Sequence, residues 1–257
     1  TKVMSYAVSE FVIGDSILAF LDEKDAKFKV YHDGITRELE GVLFNNFISI
    51  SNFKAEDNIL AYVNYDNHFK IFYRKQTIEL ETTPPESFLT ENNIVAYEDG
   101  YSRSFKVFYY GATFLLENVN PKSYKVADDL VGYVDVTGNF KIFYGGEKYD
   151  ISTFEPEFYE TKDNLIIFYD KNYFQVFYKG KIHTLEKFVP SMYKSDLNTL
   201  AYIDELGFLK VFSNGQFQQI PKEKVTKFEV SGNVVTYRTG INDITIYSDG
   251  KIYNPGK

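Results

Sequence analysis

Apolar residues fall along this chain in short runs, and the polar stretches between them hold most of the Gly, Pro, Asn and Asp. The runs recur in a fixed order. Two apolar or small residues precede an aromatic seven times: Leu18-Ala19-Phe20, Leu60-Ala61-Tyr62, Val95-Ala96-Tyr97, Val131-Gly132-Tyr133, Ile166-Ile167-Phe168, Leu200-Ala201-Tyr202 and Val235-Thr236-Tyr237. These aromatic anchors are spaced 42, 35, 36, 35, 34 and 35 residues apart. Nine residues before each anchor stands another aromatic: Phe11, Phe53, Phe88, Tyr124, Tyr159, Tyr193 or Phe228. Two residues after each comes Asp22, Asn64, Asp99, Asp135, Asp170, Asp204 or Thr239.

A second run follows in every unit. Phe28-Lys29-Val30-Tyr31, Phe69-Lys70-Ile71-Phe72 and Phe105-Lys106-Val107-Phe108 show its character, with aromatic and β-branched residues that favour strands. Asp33-Gly34, Gly145-Gly146, Lys179-Gly180, Asn214-Gly215 and Asp249-Gly250 then supply the positive φ of a two-residue hairpin turn. A third run closes the hairpin, as in Ile35 to Glu40 or Lys181 to Glu186, and the segment around the minus-nine aromatic makes a fourth strand. Four short strands per repeat, repeated seven times, predict an all-β, seven-bladed β-propeller of four antiparallel strands per blade, A innermost, as one domain over 1–257. Asp15-Ser16, Asp57-Asn58, Asp128-Asp129 and Asp163-Asn164 fall in A–B turns, and Pro85, Pro121, Pro156 and Pro190 in D-to-A crossovers that need no ladder N–H.

Two segments break the repeat. The crossover from Gly41 to Ile50 is longer and unusually apolar. Residues 1–10 precede the first repeat, and 3–7 are expected to close the ring beside 251–253, because an open propeller exposes strand edges.

The pattern Ile94-Val95-Ala96-Tyr97-Glu98-Asp99, a polar turn, then Phe105-Lys106-Val107-Phe108-Tyr109 resembles the B and C strands of TolB-like and WD40-like propellers. The Gly-His and Trp-Asp pairs of true WD40 repeats are absent, so the resemblance implies a fold and no activity. The Tyr, Phe, Lys and Asn bias at this size is also similar to envelope proteins of gliding bacteria, in the style of the type 9 secretion translocon plug. That likeness implies an outer-membrane translocon as partner, occluded from its periplasmic side.

Composition narrows the function. With 24 Phe, 22 Tyr and no Cys, the chain has neither a disulfide framework nor a thiolate site. A net charge of −8 disfavours nucleic acid, which rewards clustered Lys and Arg. No apolar stretch is long enough for a membrane-spanning helix. The chain begins at Thr1, its opening lacks the charged-then-apolar pattern of a signal peptide, and it has no Asn-x-Ser/Thr sequon. The expectation is an exported, periplasmic bacterial protein whose signal has been removed.

Candidate chemistry is sparse. His32, His68 and His183 fall on different blades and different repeat positions, which argues against a histidine metal site or a catalytic triad. The recurring acids from Asp22 to Asp204 could ring a cation, but a residue repeated in six of seven units more simply caps the turn after strand B. The lysines at 29, 70, 106, 141 and 210 could form an anion-binding ring; pairing with a neighbouring acid is the plainer reading. No catalytic, cofactor or metal residue is therefore assigned. Partner binding is assigned to non-repeating loop residues: Phe44 and Phe47 in the long crossover, with Tyr65, Tyr101, Arg103 and Tyr173. The favoured function is a non-enzymatic protein-binding scaffold. A carbohydrate- or small-ligand-binding propeller is the alternative, with a propeller hydrolase or lyase behind it.

Overall fold

The structure, a computed structural model, describes residues 3, 8, 10–41, 51–220, 224–240 and 243–254. It divides into two compact units, residues 1–151 and 152–257.

Strands of the first unit build four sheets. The first is β1 (Phe11–Ile13), β2 (Ile17–Asp22), β3 (Lys27–His32) and β4 (Ile35–Gly41). The second is β5 (Ser51–Glu56), β6 (Ile59–Val63), β7 (Phe69–Tyr73) and β8 (Gln76–Glu81). The third is β9 (Ser87–Glu91), β10 (Ile94–Glu98), β11 (Phe105–Tyr109) and β12 (Ala112–Glu117). The fourth is β13 (Ser123–Ala127), β14 (Leu130–Val134), β15 (Phe140–Tyr144) and β16 (Glu147–Ser152).

The second unit adds three sheets. They are β17 (Phe158–Lys162) to β20 (Lys181–Glu186) through β18 (Leu165–Asp170) and β19 (Tyr173–Tyr178); β21 (Tyr193–Asp196), β22 (Thr199–Ile203), β23 (Leu209–Ser213) and β24 (Gln216–Gln219); and β25 (Lys227–Ser231), β26 (Val234–Arg238), β27 (Thr245–Ser248) and β28 (Lys251–Tyr253). Each sheet is a four-stranded meander in chain order, here lettered A to D. Seven four-stranded antiparallel sheets, with no helix among the described residues, are the all-β architecture that a seven-bladed propeller requires.

Register explains the repeat. In all seven sheets the minus-nine aromatic lies directly opposite its anchor: Phe11 faces Phe20, Phe53 faces Tyr62, Phe88 faces Tyr97, and the rest follow suit. On its other side the anchor faces the strand-C lysine, or Gln175 and Thr245 where no lysine stands.

Strand B is buried on both faces, which is why it reads as a continuous apolar run instead of an alternating one. Within the first unit, Ile17, Ala19 and Leu21 join one core with Leu60 and Tyr62 of the next sheet. Ile59, Ala61 and Val63 then join the core that holds Val95 and Tyr97. Alternate residues of one strand therefore serve opposite interfaces. Within the second unit, Ile167 and Val176 pack with Leu200 and Phe212 in the same way.

The first aromatic of strand C fits against both rings of the facing pair. Phe28 lies 5.3 Å from Phe53 and 5.2 Å from Tyr62. Phe69 lies 5.0 Å from Phe88 and 5.2 Å from Tyr97, and Phe105 lies 4.9 Å from Tyr124 and 5.3 Å from Tyr133. Tilted and edge-on pairs at this separation add about 0.5–1.5 kcal/mol each beyond the apolar area they bury.

All seven C–D turns place both central residues at positive φ, the backbone that matches the twist of a two-stranded ribbon. Five of them carry the expected glycine pairs or dipeptides. Arg74-Lys75 does the same with no glycine, at φ 49° and 67°, and Tyr110-Gly111 completes the set. The expected closing strand 3–7 and the crossover from 42 to 50 fall largely or wholly outside the described residues.

Candidate functional site

The turn after strand B is built by its acid. Asp99 accepts N–H bonds from Tyr101 at 2.9 Å and Ser102 at 3.2 Å. Asp135 accepts from Thr137 and Asn139, both at 2.9 Å, and Asp204 from Leu206 at 3.0 Å and Phe208 at 2.9 Å. Asn64 does the same work as an amide, accepting from Asp66 at 3.1 Å and His68 at 2.8 Å. The recurring acid is a turn cap.

A second bond set ties each turn to the preceding sheet. Tyr97 donates its hydroxyl to Glu81 at 2.9 Å, and Lys106 reaches the same Glu81 oxygen at 2.7 Å and Asp99 at 2.6 Å. Tyr133, Lys141, Glu117 and Asp135 repeat this group, with bonds of 3.0 Å, 2.7 Å and 2.9 Å. Tyr62 and Lys70 share Glu40, and Tyr202 and Lys210 share Glu186.

Burial by itself would raise the carboxyl of Asp99. The bonds from Lys106, Ser102 and two backbone amides outweigh it and hold that carboxyl well below the usual carboxylate range. Asp135 is held low in the same way, against its own burial, by Thr137, Lys141 and Asn139. The Tyr97 and Tyr133 phenols are pushed far up by burial and by the carboxylates they contact. Lys29, Lys70, Lys106, Lys141 and Lys210 thus each pair with an acid. In repeat five the whole group changes together: Ser152, Phe168 and Gln175 stand at the Glu, Tyr and Lys positions.

These bonds hold the predicted contact residues outward. Tyr65, between β6 and β7, and Tyr101, between β10 and β11, are exposed, Tyr101 by 85%. Arg103 shares the turn of Tyr101 and reaches Glu86 at 3.3 Å. The neck of this turn is tight, because a Cβ on Gly100 would come within 2.2 Å of the Pro84 carbonyl oxygen. Tyr173, expected in a loop, instead opens strand β19 in the second unit, paired opposite Asp170, because Lys171-Asn172 alone make the turn; its side chain is exposed. Phe44 and Phe47 lie outside the described residues.

Two exposed apolar residues in the same turns were not among the predicted contacts: Val136 in the fourth sheet and Leu206 in the sixth. Their positions, three and four residues past the anchor, are those of Tyr65 and Tyr101, so the repeat register was the signal that could have found them.

The histidines do separate jobs. His32 closes β3 instead of following it and meets the Phe72 ring edge-on at 5.9 Å. His68 contacts Glu79 at 2.9 Å. His183 packs on Phe212 at 4.8 Å, where burial lowers its pKa.

A family model described as a 10-bladed beta propeller domain matches residues 1–253. The chain belongs to that propeller family. The description counts ten blades, whereas the described residues of this propeller build seven sheets. No curated protein matches it significantly. Among solved structures it is similar to the CRINKLY WD40 ectodomain of the Arabidopsis thaliana receptor kinase ACR4, at 6% identity over 95% of this chain and 96% of that one, TM-score 0.39. It is also similar to yeast RCC1 (Prp20) in complex with Kap60, at 7% identity over 95% and 70%, TM-score 0.40. PorZ, a type-IX secretion component of Porphyromonas gingivalis, is similar at 9% identity over 97% of this chain and 45% of its own, TM-score 0.37. All three likenesses are distant. No helix among the described residues is long and apolar enough to cross a membrane.

Proposed function

We infer that this propeller is a non-catalytic scaffold that docks a protein partner through its B–C turns. The observation that carries the reading is the placement of Tyr65, Tyr101 and Val136. Three successive sheets each present an exposed apolar side chain in the same turn, on backbone fixed by the Asn64, Asp99 and Asp135 caps. Rigid aromatic anchors lose little conformational entropy on binding, and Tyr and Arg dominate binding energy at protein interfaces. Arg103, half-fixed by Glu86, supplies a donor beside Tyr101.

The partner class we assign is an outer-membrane protein translocon, met on its periplasmic side. It rests on the resemblance of the Tyr-, Phe-, Lys- and Asn-rich composition to that of the type 9 plug proteins, and it carries a periplasmic location with it. Co-purification from native membranes tests it. Replacing Tyr65 and Tyr101 with Ala removes the translocon from the purified protein while the melting curve stays unchanged. A second variant, Phe44→Ser with Phe47→Ser, tests the long crossover. Full retention of the translocon by both variants refutes the assigned face; a different stoichiometric partner refutes the assigned class.

A further inference from the structure

Each D strand is an edge of its sheet, bonded to strand C alone, so its outer main-chain groups can pair with a further strand. Charged side chains along an edge discourage such pairing. β4, β8, β12, β16, β20 and β28 each carry at least one. β24 carries none. It reads Gln216-Phe217-Gln218-Gln219, every residue of it is exposed, and Phe217 is exposed by 51%.

The register of β24 on β23 fixes which of its groups point outward. Ser213 faces Gln216, Phe212 faces Phe217, Val211 faces Gln218 and Lys210 faces Gln219. Just past the strand, the Ile220 N–H donates to the Leu209 carbonyl at 3.0 Å. Bonds alternate along an antiparallel pair, so Gln216 and Gln218 also turn their main-chain groups towards β23. Phe217 and Gln219 therefore turn theirs out. The side chains alternate as well: Gln218 accepts the Tyr247 hydroxyl at 3.3 Å on one face, and on the other the Phe217 ring lies 5.9 Å from Lys210 Nζ.

We propose that β24 pairs with β24 of a second copy of this chain, antiparallel across a two-fold axis at Gln218. Two copies of a chain with net charge −8 repel each other on average, and β24 is the D strand that brings no charged side chain to the contact. With Phe217 opposite Gln219 of the second copy, both outward residues of each strand are used, and every such pair exchanges its N–H and C=O groups. Gln218 then meets its own copy in the closely spaced position, where Cα atoms stand about 4.5 Å apart and the two amides can bond to each other. The contact is isologous, and at this size it makes a weak, reversible dimer. It shares no residue with the B–C turns, so failure of the dimer and failure of the docking face are separable.

Sedimentation equilibrium of the whole chain, from about 10 µM to about 1 mM, tests the pairing, and a monomer–dimer equilibrium is expected. Phe217→Pro removes an outward N–H and leaves the bonds to β23 whole. Gln218→Glu sets two carboxylates opposite each other while keeping an acceptor for Tyr247. Each weakens dimerisation about tenfold or more with circular dichroism unchanged, and mixing Gln218→Glu with Gln218→Lys restores it. The chain has no Cys, so a single introduced thiol reads the register. Under mild oxidation Gln218→Cys gives a disulfide-linked dimer, because directly opposed residues are within disulfide reach, whereas Gln216→Cys lies too far from its own copy. A monomer across the whole concentration range overturns the proposal. So does a dimer that survives both Phe217→Pro and Gln218→Glu, or cross-linking no faster through position 218 than through position 216.

Discussion

Glu81 is a single carboxylate serving two donors from the next sheet, and removing it measures how strongly adjacent sheets are locked. In Glu81→Ala the Tyr97 hydroxyl loses its acceptor inside a fully buried side chain, which costs about 1–3 kcal/mol. Lys106 loses one acceptor but keeps Asp99, and its side chain is 22% exposed, so solvent limits that loss to about 1 kcal/mol or less. The sum is about 1–4 kcal/mol, or roughly 2–15 °C in Tm for a chain of this size. Tyr97→Phe leaves Glu81 paired with Lys106 and costs only about 1 kcal/mol.

Repeat five supplies the decisive variant, because it has lost all three groups together. Carrying its residues into repeat three, as Glu81→Ser, Tyr97→Phe and Lys106→Gln at once, leaves no stranded hydroxyl and no ammonium. The triple variant is expected to lose less than the sum of its three single variants, since deleting a whole polar cluster is cheaper than orphaning one member. Urea unfolding followed by far-UV circular dichroism reads the differences. A triple variant that costs as much as the three singles together would show that the bonds act independently, and a Glu81→Ala loss below about 0.5 kcal/mol would show that water replaces them.

Acid sensitivity follows from the same carboxylates. Asp99 and Asp135 have folded pKa values below their unfolded value of about 3.9, so the stability they give is complete above roughly pH 5 and is lost as pH falls towards the folded value. Lys106 and Lys141 are raised, so their share is present below the unfolded value of about 10.4 and fades only as pH rises through the folded one. Tm should change little between about pH 7 and 9, ease down below about pH 6.5 as unfolded His183 takes a proton that the folded one resists, and fall below pH 4, with a shallower acid limb in Asp99→Asn/Asp135→Asn; parallel limbs below pH 4 in the two proteins would contradict the assignment. Gly100→Ala forces a Cβ onto the Pro84 carbonyl oxygen, so a loss of about 1–3 kcal/mol is expected together with weaker partner capture through Tyr101. A crystal structure of the variant with the turn unmoved would argue against that contact.

Much of the fold was legible because a repeat prints the same physical demand seven times. The anchor and its minus-nine aromatic are far enough apart to sit opposite each other across one hairpin, and the structure pairs them so in every sheet. Turns were legible where glycine marked them, as at Asp33-Gly34. Arg74-Lys75 was not, because its positive φ is imposed by the pairing of β7 with β8 and carries no local signature. In the first unit the candidate turns were half legible: Tyr65, Tyr101 and Arg103 stood out as aromatic or charged, whereas Val136 looks like an ordinary apolar residue unless it is read by its place in the repeat.

The sequence by itself determined strand order, register and the seven sheets, because side-chain period and turn chemistry are local properties. Tertiary structure alone decided what the repeated polar residues do. Glu81 and Lys106 are 25 residues apart and face each other only when two sheets stack, and a carboxylate's partners, unlike a strand's faces, are chosen by whatever packing brings within 3 Å.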